Sequence, residues 1–283
     1  MYKYFPPERI DVLVNNLICF SNPRNFNDPF EFYSLFDFKN LEKYLVNLII
    51  NGKIPGVLSQ EQVNAYRLLR DCEQRDFYSR IEFIAKQLIS GGGCFVNNAL
   101  SQSFQMLNER IIESVRVLCL TEKPDNILMW GHYAASHTGF ALELDTGHKF
   151  FNQRRSEKDE HGYLRKVIYQ ENIEVIDPTE IKGFDVKHFI VKSKDWQYEQ
   201  EWRMLLPEGL AAKKVENSNI VYDLFDIPAE AIKSLIIGCR ASGEFENALK
   251  NLISLDKYKH VTLYKCHRSN ERYELIINLL NER

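Results

Sequence analysis

The stretch RVLCLTEKPDNILMWGHYAASHTGFALEL, Arg116 to Leu144, decides the fold class. Val117–Leu120 is a short apolar run that suits a buried strand. A proline-containing polar turn follows, and from Asn126 to Ser136 the apolar residues take helical spacing. Gly139–Leu144 reads as strand again. Working outward, Tyr2-Lys3-Tyr4-Phe5 has strand composition and stops at Pro6-Pro7, a short helix fits Pro7–Asn15, and Leu17–Ser21 is a second strand. The turn-rich SNPRNFNDP (Ser21–Pro29) breaks it.

Between about Asn40 and Ser114 the pattern becomes helical and polar. Ser59-Gln60-Glu61-Gln62 resembles a capping box ahead of an amphipathic run to Leu88, which Gly91-Gly92-Gly93 ends. Downstream, strands are expected at Leu164–Tyr169, Trp202–Leu206, Ile220–Leu224, Ser234–Gly238 and Val261–Cys266. Helices are expected at Asp185–Val191, Gly243–Ile253 and Asn270–Asn281. Strands and helices do not alternate regularly, so the chain is expected to be α+β, with a mixed or antiparallel sheet core. One domain over residues 1–283, with a helical insertion at about 40–115, is the expected organisation.

Of the 283 residues 45% are hydrophobic and the net charge is −3, which fits a globular chain and argues against a generic polyanion binder. MYKYFPPERID lacks a signal-peptide apolar core, and no run nears the roughly 18–20 apolar residues of a membrane span. The six cysteines are scattered and form no C-x-x-C pair, so a cytoplasmic protein without a metal is expected.

The segment MWGHYAASHTGF, Met129–Phe140, concentrates aromatic and imidazole rings. On a helix reaching one residue past Ser136, Trp130, Tyr133 and His137 would share a stripe, leaving His132 elsewhere for a polar task. His132 and His137 are five apart, not the four that suits paired zinc ligands. Taken in isolation, the segment reads first as a buried aromatic helix with a hydrogen-bonded histidine. Asn27-Asp28-Pro29-Phe30-Glu31 places carboxylates in a turn, with Asp28 expected to support a site by accepting hydrogen bonds. In WQYEQEWR (Trp196–Arg203), an extended chain would put Glu199, Glu201 and Arg203 on one face. A solvated strand with an internal ion pair is the plain alternative.

In order, FNDPFE, MW-x-HYA-x-x-H-x-GF and W-x-YE-x-EWR resemble the bacterial family called domain of unknown function 2971, over about residues 2–36 and 116–240. No reaction comes with that family; its bacterial setting implies a role in defence, including against phage, or in stress response. The layout of early strand, serine-terminated strand and late Glu-x-Glu is also similar to ADP-ribosyltransferases. That likeness implies NAD as substrate and cleavage of its nicotinamide–ribose bond, with a carboxylate beside the developing sugar cation. Carried over, Ser21 is the mid-motif serine, Glu201 the catalytic carboxylate and Glu199 the residue that orients an acceptor, with His132 as a further catalytic group. Tyr4, Trp130, Tyr133 and Arg203 would bind substrate, while Asn27, Asp28, Glu31 and His137 would support the site. Where those enzymes carry an early Arg or His, this chain has Lys3 and Tyr4.

Two other functions fit the same residues. His132, His137, Asp28 and Glu31 could converge for phosphoester or phosphodiester hydrolysis. Alternatively, Trp130 and Tyr133 could line a non-catalytic pocket for a nucleotide or peptide. A small-molecule nucleotide is the expected partner, and no membrane is expected.

Overall fold

The computed structural model describes residues 1–33, 35–36, 40–91, 93–173, 175–177 and 186–280. In the N-terminal part the elements are β1 (Tyr2–Phe5), α1 (Asp11–Asn15), β2 (Leu17–Phe20) and β3 (Leu35–Phe36). Helices α2 (Leu41–Ile50), α3 (Gln60–Leu68), α4 (Asp71–Gly91) and α5 (Gly93–Ser114) follow. Next come β4 (Val115–Thr121), α6 (Ile127–Tyr133), β5 (Phe140–Leu144), β6 (Leu164–Lys166), β7 (Ile168–Gln170), β8 (Val175–Ile176) and β9 (Val191–Ser193). The rest is β10 (Glu201–Pro207), β11 (Lys213–Asn217), β12 (Ile220–Asp226), β13 (Ile232–Ile237), α7 (Gly243–Ile253), β14 (Thr262–Arg268) and β15 (Leu275–Leu279).

The chain divides into two compact units. Met1–Phe32, Ile112–Asn172 and Val186–Arg283 form the first; Tyr33–Ile111 and Ile173–Asp185 form the second. In the first, eight strands make one sheet in the order β15-β14-β13-β5-β1-β4-β10-β6. Only β13–β14 is a parallel pair in it, because α7 carries the chain across between them; its other pairs are antiparallel. This is the expected α+β class with a mixed sheet. One face of the sheet packs Leu118, Leu120, Phe140, Leu142 and Leu235 against Phe20, Phe225 and Leu249. Burial of each such side chain contributes roughly 1.5–3 kcal/mol. The opposite face packs Tyr4, Ala141 and Ile236 against Trp130 of α6. Trp130 is fully buried, and its indole N–H donates to the Pro124 carbonyl at 2.8 Å.

The second unit is mainly helical and has its own core, with Val46, Ile49 and Ile50 of α2 packed against Ile81 and Ala85 of α4. Ser59 and Gln62 form the expected capping box. The run beyond it is not one helix, since Leu69 turns extended between α3 and α4. Gly92, in the expected glycine stop, lies outside the described residues. No described helix is long and apolar enough to cross a membrane.

Several expected elements differ. The segment 270–281, expected as a helix, forms β15 at Leu275–Leu279; Ile276 and Ile277 are β-branched, and alternate residues Leu275 and Ile277 face the core. The helix expected at Asp185–Val191 is a 3₁₀ turn, Val186–Phe189, followed by β9; Asp185 lies outside the described residues. The strand expected at Leu164–Tyr169 breaks at Val167, where β6 leaves β10 and β7 pairs with β9. Between Pro7 and Asn15 a 3₁₀ turn precedes α1.

Candidate functional site

β1 pairs with β5 along all four of its residues but with β4 only at Tyr2–Thr121. β4 is held elsewhere by a bridge from Val117 to Ser21, just after β2. The two central strands thus separate, and a cavity of about 430 Å³ has Tyr2, Lys3 and Tyr4 on one wall and Cys119, Leu120 and Thr121 on another. Lys3 Nζ donates to the Cys119 carbonyl at 3.3 Å, filling in for a ladder bond. Tyr4 is pinned by its hydroxyl, which donates to the Lys123 carbonyl at 2.6 Å.

A further wall is α6. Asn126 caps it, accepting from the Leu128 and Met129 amides, while its own side-chain amide donates to the Tyr198 carbonyl at 3.0 Å. The cap therefore ties the helix to the segment that carries Glu199. Met129, His132 and Tyr133, spaced i, i+3 and i+4, face the cavity, and Trp130 faces the core. The expected stripe through His137 does not form, because α6 ends at Tyr133. Ala135, Ser136 and His137 then adopt left-handed backbone, with φ of 46°, 54° and 71°. The His137 amide still donates to the Trp130 carbonyl, and its ring stacks on Trp130 with centroids 6.4 Å apart. The turn delivers Gly139, where a Cβ would lie 2.0 Å from the Phe5 carbonyl oxygen, into β5.

At one end of the cavity lies a buried ionic cluster. Lys192 Nζ, on β9, is 3.0 Å from Glu31, 2.6 Å from Glu199 and 3.2 Å from Glu201. Arg203 donates from Nε to Glu201 Oε1 at 2.7 Å and from Nη2 to Glu201 Oε2 at 3.0 Å. The same Nη2 reaches Glu31 at 2.7 Å, while Nη1 donates to the Phe189 carbonyl at 3.0 Å. Tyr133 donates its hydroxyl proton to Glu199 Oε1 at 2.7 Å. These five charged side chains are at most 6% exposed. Burial alone would raise the Glu201 carboxyl, but Arg203 and Lys192 outweigh it and hold the group at about 2. For Glu31 burial prevails over the same two cations and pushes its carboxyl up. Burial also works against the charge of Lys192, yet the carboxylates of Glu201, Glu31 and Glu199 raise its pKa overall. Burial and then Glu199 push the Tyr133 hydroxyl well up, so it stays a donor.

The backbone explains how the carboxylates meet. Glu199 ends a 3₁₀ turn, Gln200 takes left-handed angles of φ 44° and ψ 53°, and β10 starts at Glu201. Glu201 and Arg203 share a strand face, as the spacing implies, whereas Glu199 arrives by the turn and not by extension.

Among the residues singled out from the sequence, Ser21, Tyr4, Asn27 and Glu31 line the cavity, as do His132, Tyr133, Glu199 and Glu201. Trp130 and Arg203, expected to bind substrate, lie off the cavity lining: both are fully buried, one in the core and the other behind the carboxylates. Asp28 is buried beside the cavity, its Oδ1 accepting from the Phe30 amide at 2.9 Å. His137 lies off the cavity on Trp130, so His132 and Glu31 reach the site without His137 or Asp28. Among the described residues no group of three His, Cys, Asp or Glu side chains could hold a metal ion. Lys192 was not anticipated, since a lone lysine in IVKSKDW carries no pattern distinguishing it from solvated surface. Tyr2, Cys119 and Thr121 were also missed; their role follows from the separation of β1 and β4, a tertiary feature.

The family model described as "Protein of unknown function (DUF2971)" matches residues 129–204. The match supports the resemblance seen in the motifs over the segment that runs from Met129 in α6 to Met204 in β10, with FNDPFE outside it. No curated protein and no solved structure matches the chain.

Proposed function

We propose that the chain is an enzyme of ADP-ribosyltransferase-like chemistry that cleaves the nicotinamide–ribose bond of NAD. The observation that carries this is the pair Glu199 and Glu201 on the wall of a cavity that also presents Tyr2, Tyr4 and Tyr133. In the reaction the C1′–N bond breaks and its electron pair leaves with nicotinamide, which becomes neutral. Positive charge moves onto the ribose, where a nearby carboxylate stabilises it. Water or another acceptor then bonds to C1′ and gives up a proton.

The ion pairs favour a division of labour between the carboxylates. Glu201 meets Arg203 through both oxygens and Lys192 through one, so most of its charge is already neutralised. Among the described residues Glu199 shares only Lys192 and otherwise accepts from a neutral phenol. Its remaining charge suits it to face the sugar cation, with Glu201 as the fixed orienting member. This exchanges the roles that the similarity to ADP-ribosyltransferases implied. Ser21 and His132, also on the lining, are placed to contact the dinucleotide. Chromatographic assay of nicotinamide released from NAD tests the assignment. Glu199→Gln should lower kcat by at least about a hundredfold, near 2.7 kcal/mol, in protein whose fold is verified by melting. Absence of nicotinamide release by the unaltered protein would remove the proposal.

A further inference from the structure

The eight-stranded sheet ends in β6 on one side and in β15 on the other. The β6 edge is short and basic, Leu164-Arg165-Lys166, a composition that resists pairing with another chain. The β15 edge, Leu275-Ile276-Ile277-Asn278-Leu279, carries no charge and no proline, and its register with β14 runs without a bulge. Ile276 and Leu279 are 42% and 54% exposed. Among the described residues nothing pairs with the outer side of this strand. Which backbone groups are left over follows from the register. The Leu280 amide donates to the Leu263 carbonyl at 2.9 Å, and the Glu274 carbonyl accepts from the Ser269 amide at 3.1 Å. Residues of that parity, Ile276 and Asn278 included, therefore aim their N–H and C=O groups at β14. Leu275, Ile277 and Leu279 turn theirs outward, and another strand is what satisfies such a row. The side chains alternate as well. Leu275 and Ile277 pack in the cluster around Trp130, while Lys265, opposite Asn278, reaches Glu246 of α7 on the other face.

We propose that β15 is a self-association edge, through which two copies of this chain pair antiparallel about a two-fold axis at Ile277 and join their sheets into one. An axis normal to the sheet keeps each face continuous only when residues of like parity stand opposite one another. Ile277 is the middle of β15, so an axis there gives the longest overlap. Leu275 then stands opposite the partner's Leu279 and Ile276 opposite the partner's Asn278. Every outward residue of β15 falls in a hydrogen-bonded pair, and the exposed Leu279 is covered. The same axis brings the partner's turn, Ser269 to Glu274 with Tyr273 fully exposed, to the far end of β15. At that end lies an apolar cavity of about 780 Å³, lined by Ile253, Val261, Leu263 and Leu280 together with Lys250 and Lys259. The partner's Glu274 stands opposite Leu280, beside these lysines, so the two surfaces match in charge as well as in apolar area. The inference is independent of the chemistry assigned to the cavity between β1 and β4. One strand and one turn make an interface at the small end of the specific range, so a reversible dimer with Kd on the order of 10 µM is expected.

The test uses the full chain in sedimentation equilibrium, from about tenfold below to tenfold above that concentration, where the mass should pass from monomer to dimer. Amide exchange read by NMR on the same samples reports the register. The amides of Leu275, Ile277 and Leu279 should slow as concentration rises, while those of Ile276 and Asn278, already bonded to β14, should not change. Leu279→Lys, its fold verified by melting, sets an ammonium opposite the partner's Leu275 and should weaken association at least about tenfold. Should that variant not fold, the exchange pattern of the unaltered protein decides. A chain that stays monomeric over the whole range, a dimer that Leu279→Lys leaves equally tight, or protection that does not alternate along β15 would overturn the proposal.

Discussion

Replacing Lys192 with methionine tests whether one amine holds the site together. The side chain is 4% exposed and its nitrogen contacts carboxylates of Glu31, Glu199 and Glu201 within 3.2 Å. Methionine keeps the length of the stem but leaves three carboxylates facing Arg203 alone, two negative charges in excess. Removing one partner of a buried ion pair costs about 3–5 kcal/mol, because the remaining charge stays desolvated. Proton uptake by the carboxylates limits the loss, so about 3 kcal/mol at pH 7 is expected. For a unit of this size that is a fall in melting temperature of about 6–12 °C. The pH dependence has a definite sign. Without the amine the folded-state carboxyl pKa values rise, so the folded variant binds protons more readily than its unfolded chain. Its deficit relative to the unaltered protein should then shrink as pH falls from 7 toward the unfolded carboxyl value near 4.5. Urea melts at pH 7 and 5 measure both quantities, and the double variant Lys192→Met, Glu199→Gln should recover more than half of the loss. A deficit under 1 kcal/mol at pH 7, or one that grows on acidification, would refute the electrostatic reasoning.

Three other outcomes follow from the same geometry. Glu201, held at about 2 against an unfolded value near 4.5, contributes stability that is present above pH 4.5 and lost as pH falls toward 2; the difference amounts to roughly 3 kcal/mol. Glu201→Gln should flatten that part of the acid limb in urea melts, and an unchanged limb counts against the assignment. Gly139→Ala puts a methyl 2.0 Å from the Phe5 carbonyl oxygen, a main-chain atom that cannot yield without displacing β1, and should cost at least about 3 kcal/mol; Gly209→Ala, with nothing within 4 Å of its Cβ, should be nearly silent in thermal melts. His132→Ala, on the exposed cavity lining, should weaken ligand binding about tenfold without lowering stability, whereas His137→Ala, stacked on Trp130, should cost about 1 kcal/mol of stability and leave binding intact. Paired melting and titration measurements showing the reverse pattern would move the site to the turn that carries His137.

How much was legible depended on whether the deciding interaction was local. The cap at Asn126, the capping box at Ser59–Gln62 and α7 are written in short-range chemistry and appear where that chemistry places them. β15 was not visible, because Leu-Ile-Ile-Asn-Leu is too short for its period to separate strand from helix, and pairing with β14 decides. The end of α6 was hidden for a related reason. Nothing in Ala135-Ser136-His137 favours left-handed backbone, and three such non-glycine residues persist where the surrounding structure holds them. There the restraints are the hydrogen bonds from the Ser136, His137 and Gly139 amides to Gly131, Trp130 and Ala134, with Gly139 close against Phe5. The aromatic and carboxylate motifs marked Glu31, His132, Tyr133, Glu199 and Glu201 of the cavity lining, but neither Lys192 nor which of these residues face each other.

The ionic cluster shows why spacing alone was insufficient. Along an ideal strand, residues two apart are separated by roughly 6.6 Å and their side chains stand side by side on one face. An extended Glu199–Arg203 segment would therefore present a row, glutamate, glutamate, arginine, with neighbouring members as partners. In the folded chain the left-handed residue Gln200 breaks that row and turns Glu199 back, so that both glutamates meet one lysine. Thr121 fixes the turn by donating its hydroxyl proton to the Glu199 carbonyl, and Thr121 is also the single residue at which β4 still pairs with β1. The residue that locks the carboxylates together is thus the one beyond which the two central strands separate. Cavity and cluster depend on the same point of the sheet, so a perturbation at Thr121 reaches the shape of the pocket and the charge on its wall together.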